Sequence, residues 1–441
     1  MKKTNLEVRK VLDMFDKNKI KYCIARNYDF LMNDKIYEGK DTDVVVFSKD
    51  KNKINKIMGG LGFGVVPINP FSMHTGYAKY IPEDEKLLQF HFHLDGITGR
   101  HTKYLDAQQI ISRSVRKSGF SVSSNEDLFL INLLHSVLDL SKMSEKYRKE
   151  LSSSRNIVGN LYVRQTLLGL FSKKQTDALL NYVSNNNFSA IEKLMPNLKR
   201  RFENRRIFKI AKVLLCGSVW KIHRLFKLAP LVSLIGMDGT GKTTTVSYLK
   251  EAMDKNRIKY LVYYAGRGRN NILPIQFFGK VYKKAEEKHE SSKVQSNHTK
   301  NKTKKTSLLK KTAYTIAAPV FAFDLFMRYW FKIFPARLKN QVVITDRYAS
   351  DILLMANVPR WLKNFLYLFL PKPTSTIYLW NKPEVLHARK TAHPLDDLQR
   401  QEKIFAEIKN KVKYVTIKSE GIDKTTKEVA EKVFSSIFGG A

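Results

Sequence analysis

The sequence predicts a mixed α/β chain: a parallel sheet in the C-terminal half, a smaller α+β domain ahead of it, and helices joining the two. Three observations predict this. The apolar run Leu231 to Ile235 passes through a glycine-rich turn into helix-forming residues (LVSLIGMDGTGKTTTVSYL, 231–249), which is a strand–loop–helix order. A second apolar run, Val342 to Thr345, ends on Asp346, as buried strands of parallel sheets end at the edge where ligands collect. Near the N-terminus, Val8, Val11, Leu12 and Phe15 follow helical spacing, and strand-like runs at 21–25 and 44–47 come after them. At 441 residues the chain exceeds one core. The expected division is 1–120, 121–228 and 229–441.

Composition narrows the function classes. A net charge of +38 favours anionic partners such as nucleic acid, acidic lipid head groups or a charged glycan, although a solvated Lys-rich surface also accounts for it. Cys23 and Cys216 are the only cysteines, with no CxxC, so neither a disulfide framework nor a zinc site is indicated. The N-terminus (MKKTNLEVRKVLDMFDKNKI) lacks the apolar core of a signal peptide, and no stretch holds about 18 uninterrupted apolar residues. A reducing, cytoplasmic setting is expected.

In the first 120 residues, EGKDTDVVVFS (38–48) sets Asp41 and Asp43 at the entrance of the strand Val44 to Phe47. Carboxylates at i, i+2 on a strand project to one side, where both can hold one divalent metal. In LLQFHFHLDG (87–96), alternation puts His91 and His93 on one face, with Asp95 beyond. They can serve as metal ligands or as a hydrogen-bonded, partly buried pair. This domain resembles the nucleotidyltransferase-like fold, whose DxD pair holds Mg²⁺ for attack on a nucleoside triphosphate. The segment 87–96, with ITGRHTKYL after it, resembles a subgroup fused to kinase-like domains in surface-polysaccharide loci. The family's Gly-Ser is absent, and Ala25-Arg26-Asn27 stands in that area.

SSNEDL (123–128) carries capping residues ahead of an apolar run, which predicts a helix start there; His135 within the run reads as a core histidine. Further helices are expected over 155–171 and 174–183. Residues 205–228 form a basic amphipathic pattern, with Arg205, Arg206, Lys209, Lys212, Lys221, Arg224 and Lys227 on one side and apolar residues on the other. Such a helix can lie on an anionic membrane surface or dock its apolar face on the domains it joins. Gly217 weakens it by about 1 kcal/mol, which favours the connector.

The stretch around 236 carries the chemistry. Gly236-x-x-Gly239-x-Gly241-Lys242-Thr243, between a strand and a helix, is a phosphate-binding P-loop. Its glycines let backbone N–H groups turn toward a phosphate, and the helix aims its positive end at the same anion. Gly236, Asp238, Gly239, Thr240, Gly241, Lys242, Thr243 and Thr244 are the candidates for holding a nucleoside triphosphate. Lys242 reaches for the β- and γ-phosphates, and the Thr243 hydroxyl for Mg²⁺.

Beyond it, LVYYAGRGRNN (261–271) reads as a strand opening into a basic loop, where Arg267 and Arg269 suit an acceptor phosphate. Residues 280–311 hold eleven Lys against three Glu and are expected to form a mobile insertion. Tyr282 is its only aromatic residue, so a stacking nucleic-acid site is not expected. TAYTIAAPVFAFDLFMRYWFKIF (312–334) reads as a helix beside the sheet, with Asp324, Arg328 and Lys332 as its polar stripe. Asp346 can hold Mg²⁺ or orient an acceptor, and Arg347 can neutralise charge on a moving phosphoryl group.

GMDGTGKTTT, the later Asp346-Arg347-Tyr348 and TSTIYLWNKPEVLHARK (374–390) resemble thymidylate kinase in order and spacing. The resemblance spans roughly residues 230–441 and implies a five-stranded parallel sheet wrapped by helices, completed by the strand 413–419 and the helix 425–438. It implies that Asp238 approaches an acceptor sugar hydroxyl, that Arg347 contacts the acceptor phosphate or the γ-phosphate, and that Arg389 opens the lid over ATP. Where that family carries Ser-x-x-Ala-Tyr-Gln to place thymine, this chain has Asp351-Ile352-Leu353-Leu354-Met355-Ala356, and Gly266-Arg267-Gly268-Arg269 replaces its Arg-Glu-Pro loop. The expectation is an ATP- and Mg²⁺-dependent phosphotransferase. Lys242, Asp346, Arg347 and Arg389 act in transfer, and Asp238, Arg267 and Arg347 bind an acceptor. That acceptor is a nucleoside monophosphate, or a sugar or glycan end in surface-polysaccharide assembly. Two rivals stand beside it: a nucleotide-switched binding protein docking on a membrane or polyanion, and nucleotide transfer by the front domain.

Overall fold

The computed structural model describes residues 2–32, 37, 41–66, 73–99, 102–204, 207–225, 228–266, 269–273, 315, 317–355, 358–389 and 394–439. The chain is mixed α/β in two compact units, Met1–Phe226 with Phe438–Ala441, and Lys227–Ile437.

The first unit opens with the helix Lys3–Lys17, whose Val8, Val11, Leu12 and Phe15 are buried as their spacing requires. Nine strands follow: β1 (Tyr22–Arg26), β2 (Thr42–Val46), β3 (Gly64–Val66), β4 (His74–Ile81), β5 (Lys86–Leu94), β6 (Gly96–Gly99), β7 (Thr102–Asp106), β8 (Val115–Lys117) and β9 (Phe120–Val122). Seven of them form one sheet in the order β3-β4-β5-β2-β1-β9-β8, and β6 pairs with β7. Alternation sorts the central strands into two faces. Ile24, Val44, Val46, Phe90 and Phe92 pack with the first helix and the helix Lys51–Gly60. Cys23, Ala25 and Val45 pack on the opposite side with the later helices.

Those later helices were expected as a region of their own. Instead Asn125–Asp139, Leu161–Leu170, Lys173–Ser184 and Phe188–Asn204 share one core with the sheet. The first of them starts where the capping residues stand, because the Ser124 side chain accepts from the Asp127 N–H and satisfies one of its orphan donors. Phe129, Leu130, Leu133 and Leu134 are all buried, each contributing about 1.5–3 kcal/mol of transfer free energy. His135 is half-buried and pairs with Asp139, one turn on.

Ile207–Leu225 forms a single helix through Gly217. Ile207, Phe208, Leu214 and Leu215 on its apolar side are exposed, Phe208 to 87%. Among the described residues no helix is long and apolar enough to cross a membrane.

The second unit holds five parallel strands: β10 (Leu231–Gly236), β11 (Tyr260–Tyr264), β12 (Val342–Asp346), β13 (Ser375–Trp380) and β14 (Val415–Lys418), in the order β11-β12-β10-β13-β14. The central strand is therefore the one that feeds the glycine loop. Its neighbours bring Asp346 beside Leu234 and Leu379 beside Gly236, so the C-terminal ends of three strands lie together. Helices Lys242–Lys255, Leu395–Val412 and Ile422–Phe438 follow strands of this sheet. Residues 317–328 are helical and run into a wider turn at Tyr329–Ile333. Phe321, Leu325, Tyr329 and Ile333 enter the unit's core, as expected of a helix packed on the sheet. Asp324 and Arg328 are fully buried and ion-paired, whereas Lys332 is exposed. The insertion 280–311 lies outside the described residues.

Candidate functional site

The glycine loop takes its shape from backbone conformations that side chains resist. Gly236, Gly239 and Gly241 have φ of 155°, 86° and 85°. A Cβ on Gly236 would stand 2.5 Å from the Leu379 carbonyl oxygen, so strand packing also demands glycine there. The loop is tied by Thr240 Oγ1 donating to the Met237 carbonyl at 2.8 Å and by Thr245 Oγ1 donating to the Gly241 carbonyl at 2.9 Å. The helix that begins at Lys242 runs 14 residues and points its unpaired N–H end at the loop.

Lys242 folds back into this cup. Its Nζ donates to the Gly236 carbonyl at 3.0 Å and the Met237 carbonyl at 2.7 Å, and only 8% of the residue is exposed. Burial, with Arg347 second, pushes its pKa down to about 8. The site thus holds a cation at a solvation cost that an anion would offset.

The end of β12 supplies the other side. Asp346 Oδ1 is buried and has no hydrogen-bond partner among the described residues, and burial raises its carboxyl above the usual range. Next to it Arg347 sits at φ 63°, a left-handed conformation that costs about 1–3 kcal/mol for a non-glycine residue. That turn sends its guanidinium to Asp238 Oδ1 at 2.5 Å, with Asp351 Oδ1 at 3.7 Å. Arg347 therefore bridges the glycine loop to the helix Ser350–Leu353.

A cavity of about 350 Å³ opens beside the loop, a volume typical of small-ligand sites. Gly239, Thr240, Gly241, Thr244 and Thr245 form one wall, and Ser419, Gly421, Ile422, Thr425 and Thr426 another. Arg389 completes it, held by Ser419 through the hydroxyl at 3.2 Å and the carbonyl at 3.1 Å. Among the described residues Arg389 is the only charged one in the lining, beside the hydroxyls of Thr240, Thr244, Thr245, Ser419, Thr425 and Thr426.

A scan against models of known protein families found no match, and neither did a search of curated proteins.

Most of the predicted residues thus gather at one sheet edge: the loop 236–244, Asp346, Arg347 and Arg389. Thr243 and Thr244 are exposed in the first helical turn. Arg267 and the residues just after Arg389 lie outside the described residues. Sequence reasoning missed Ser419, Gly421, Thr425 and Thr426, which carry no motif and reach the cavity only because β14 lies two strands from β10. It also read Asp351 only as a departure from a family pattern, although it faces Arg347.

The residues fit the implied metal at this edge. A lone buried carboxylate oxygen on Asp346 and a hydroxyl at Thr243 are oxygen donors of the hard kind that Mg²⁺ prefers.

Asp41 and Asp43 do not fit it. Asp43 is 2% exposed; Oδ2 takes Arg26 Nε at 2.5 Å, and Oδ1 meets His91 Nδ1 at 3.2 Å and His93 Nε2 at 3.1 Å. Burial opposes its charge, yet the two histidine contacts and Arg26 hold the carboxyl well below the usual range. Its oxygens are committed to protein partners, so the shared Mg²⁺ expected for the pair has no second carboxylate. Arg26, standing in the area where Gly-Ser was expected, is a direct reason. Asp41 is pushed up by burial and by the Asp43 charge beside it. A cavity of about 370 Å³ in this unit has Arg26 and Lys146 facing Asp29 and Glu150, a wall with no preference for either sign.

Proposed function

We propose that the second unit is an ATP- and Mg²⁺-dependent phosphotransferase of the kind its resemblance to thymidylate kinase implies. One observation carries this reading: the loop of three positive-φ glycines encloses a buried lysine, and a carboxylate oxygen with no partner among the described residues ends the adjacent strand. The loop N–H groups and Lys242 would hold the β- and γ-phosphates, with Lys242 exchanging a backbone carbonyl for phosphate oxygen. Thr243 and Asp346 would hold Mg²⁺, which neutralises phosphate charge when bound. The cavity under Arg389 would take the base and ribose of the donor. Arg347, oriented by Asp238 and Asp351, stands ready to stabilise charge on the transferred group. Catalysis on this reading comes from positioning and electrostatics.

The acceptor is a nucleoside monophosphate or a sugar or glycan end. The second choice is favoured by the absence of the family's thymine-placing residues, in whose place Asp351 lies buried against Arg347. Incubation with γ-labelled ATP and a panel of nucleoside monophosphates, sugars and lipid-linked glycans tests the proposal. Label must pass to an acceptor in wild type; a protein that binds ATP and labels nothing would be a nucleotide-gated binder instead.

Two further expectations arise at this site. Although the sequence puts Arg389 among the residues acting in transfer, it borders the cavity proposed for the donor's base and ribose, so Arg389→Ala should raise the KM for ATP by about tenfold with kcat changed far less. Phosphate bound near Lys242 should raise its pKa from about 8 toward the ordinary lysine value. ATP binding measured near pH 8.5 should therefore take up part of a proton, and affinity should fall as pH rises through the free-state pKa. Calorimetry in two buffers of different ionisation enthalpy reads that uptake directly.

A further inference from the structure

A second group of chemistry-bearing side chains lies in the first unit, independent of the phosphate-binding loop. Antiparallel pairing sets His74 of β4 directly opposite His93 of β5, and Gly76 opposite His91, so no side chain intrudes at the fourth corner of that patch. Alternation keeps His91 and His93 on the face away from Phe90 and Phe92. The three rings make a near-equilateral triangle, with centroids 4.6 Å, 4.7 Å and 4.7 Å apart. One ring nitrogen from each lies within 4.8 Å of the other two.

Each ring also has one nitrogen on a polar partner. Asp43 Oδ1 meets His91 Nδ1 and His93 Nε2, and Thr98 Oγ1 meets His74 Nε2 at 2.6 Å. Metal-bound imidazoles characteristically give the other ring N–H to a carboxylate or similar acceptor, which fixes tautomer and ring orientation. His93 Nδ1, the nitrogen turned away from Asp43, is buried and has no hydrogen-bond partner among the described residues, on a residue only 6% exposed. A purely structural histidine pair would leave that nitrogen desolvated for nothing.

We propose that His74, His91 and His93 form a site for a divalent transition-metal ion of the zinc class, with Asp43 and Thr98 as the groups that orient its ligands. Three imidazoles select such an ion over Mg²⁺ or Ca²⁺. Asp43 is excluded as a ligand by Arg26 and serves as the shared acceptor. A tetrahedral site with Zn–N near 2.0–2.1 Å needs ligand nitrogens about 3.4 Å apart, against separations within 4.8 Å here, so each ring must move inward by less than about 1 Å, within reach of small side-chain rotations. Three protein ligands leave a fourth position open for water or an anion.

The test uses the full-length, untagged chain, titrated with Zn²⁺ by calorimetry and with Co²⁺ by visible absorption. The wild type should bind about one equivalent of Zn²⁺, and Co²⁺ should give the intense bands of a four-coordinate site. His74→Ala and His91→Ala should each weaken Zn²⁺ at least 100-fold, and Asp43→Asn by roughly 10–100-fold, through loss of orientation. Circular dichroism confirms folding; should His91→Ala fail to fold, His74→Gln, at a half-buried strand end, supplies the same comparison. Wild type that takes up no Zn²⁺, or variants that bind as tightly as wild type, would overturn the site.

Discussion

Lys242→Ala is expected to lose ATP-dependent transfer by at least about 100-fold while melting at the wild-type temperature or above it. The two halves of that result have one cause. Lys242 is buried among backbone carbonyls, and its pKa of about 8 means that the folded state disfavours the charged form. The sign follows: between the folded pKa and the ordinary lysine value the unfolded chain binds more protons, so stability rises with pH through that window. At neutral pH the buried charge costs about 3 kcal/mol, against roughly 1 kcal/mol for each of its two carbonyl hydrogen bonds. Alanine relieves the first and forfeits the second. Initial rates with γ-labelled ATP and a thermal melt on the same preparation check both halves. A variant that lost activity by unfolding would show a clear drop in Tm.

Asp324→Ala is expected to destabilise the second unit by about 3–5 kcal/mol. Asp324 and Arg328 are both fully buried and ion-paired one helical turn apart. Asp324 Oδ1 also accepts the Ile272 and Leu273 N–H groups, each at 2.8 Å. Arg328 Nη1 donates to the Gly266 and Arg269 carbonyls at 3.1 Å and 3.0 Å. Removing the carboxylate strands a guanidinium in the core and frees two backbone donors at once. For a unit of this size the Tm should fall by roughly 10 °C. Because the pair also anchors the loop after β11, the double variant Asp324→Leu with Arg328→Met should regain much of the stability yet leave that loop unpinned. Thermal and urea denaturation of the three proteins, with limited proteolysis after β11, separate the two effects.

Much of the sheet edge around the glycine loop was readable from the chain alone. Glycine spacing reports backbone geometry directly, so Gly236, Gly239 and Gly241 announced a loop whose φ values no other residue tolerates well. An apolar run ending in a carboxylate announced Asp346 in the same way. Local signals also placed the helix at Asn125–Asp139, since capping is decided within one turn. Groups that converge only through pairing register were hidden. His74 lies 17 residues before His91, and nothing short of the β4–β5 register brings them together. Ser419 and Thr425 reach the cavity across a sheet whose order is not its sequence order. The i, i+4 spacing of Asp324 and Arg328 suggested a polar stripe, but burial and loop anchoring depended on residues some 50 positions away. The commitment of Asp43 was concealed similarly, because Arg26 looked only like a departure from a pattern.

Calorimetric titration of the full-length chain with ATP and Mg²⁺ tests the central claim most directly. The arrangement of Lys242, Thr243 and Asp346 predicts saturable binding of about one nucleotide per chain, strengthened by Mg²⁺ and abolished in Lys242→Ala. Absence of heat at any nucleotide concentration, or binding that Lys242→Ala leaves intact, would contradict it.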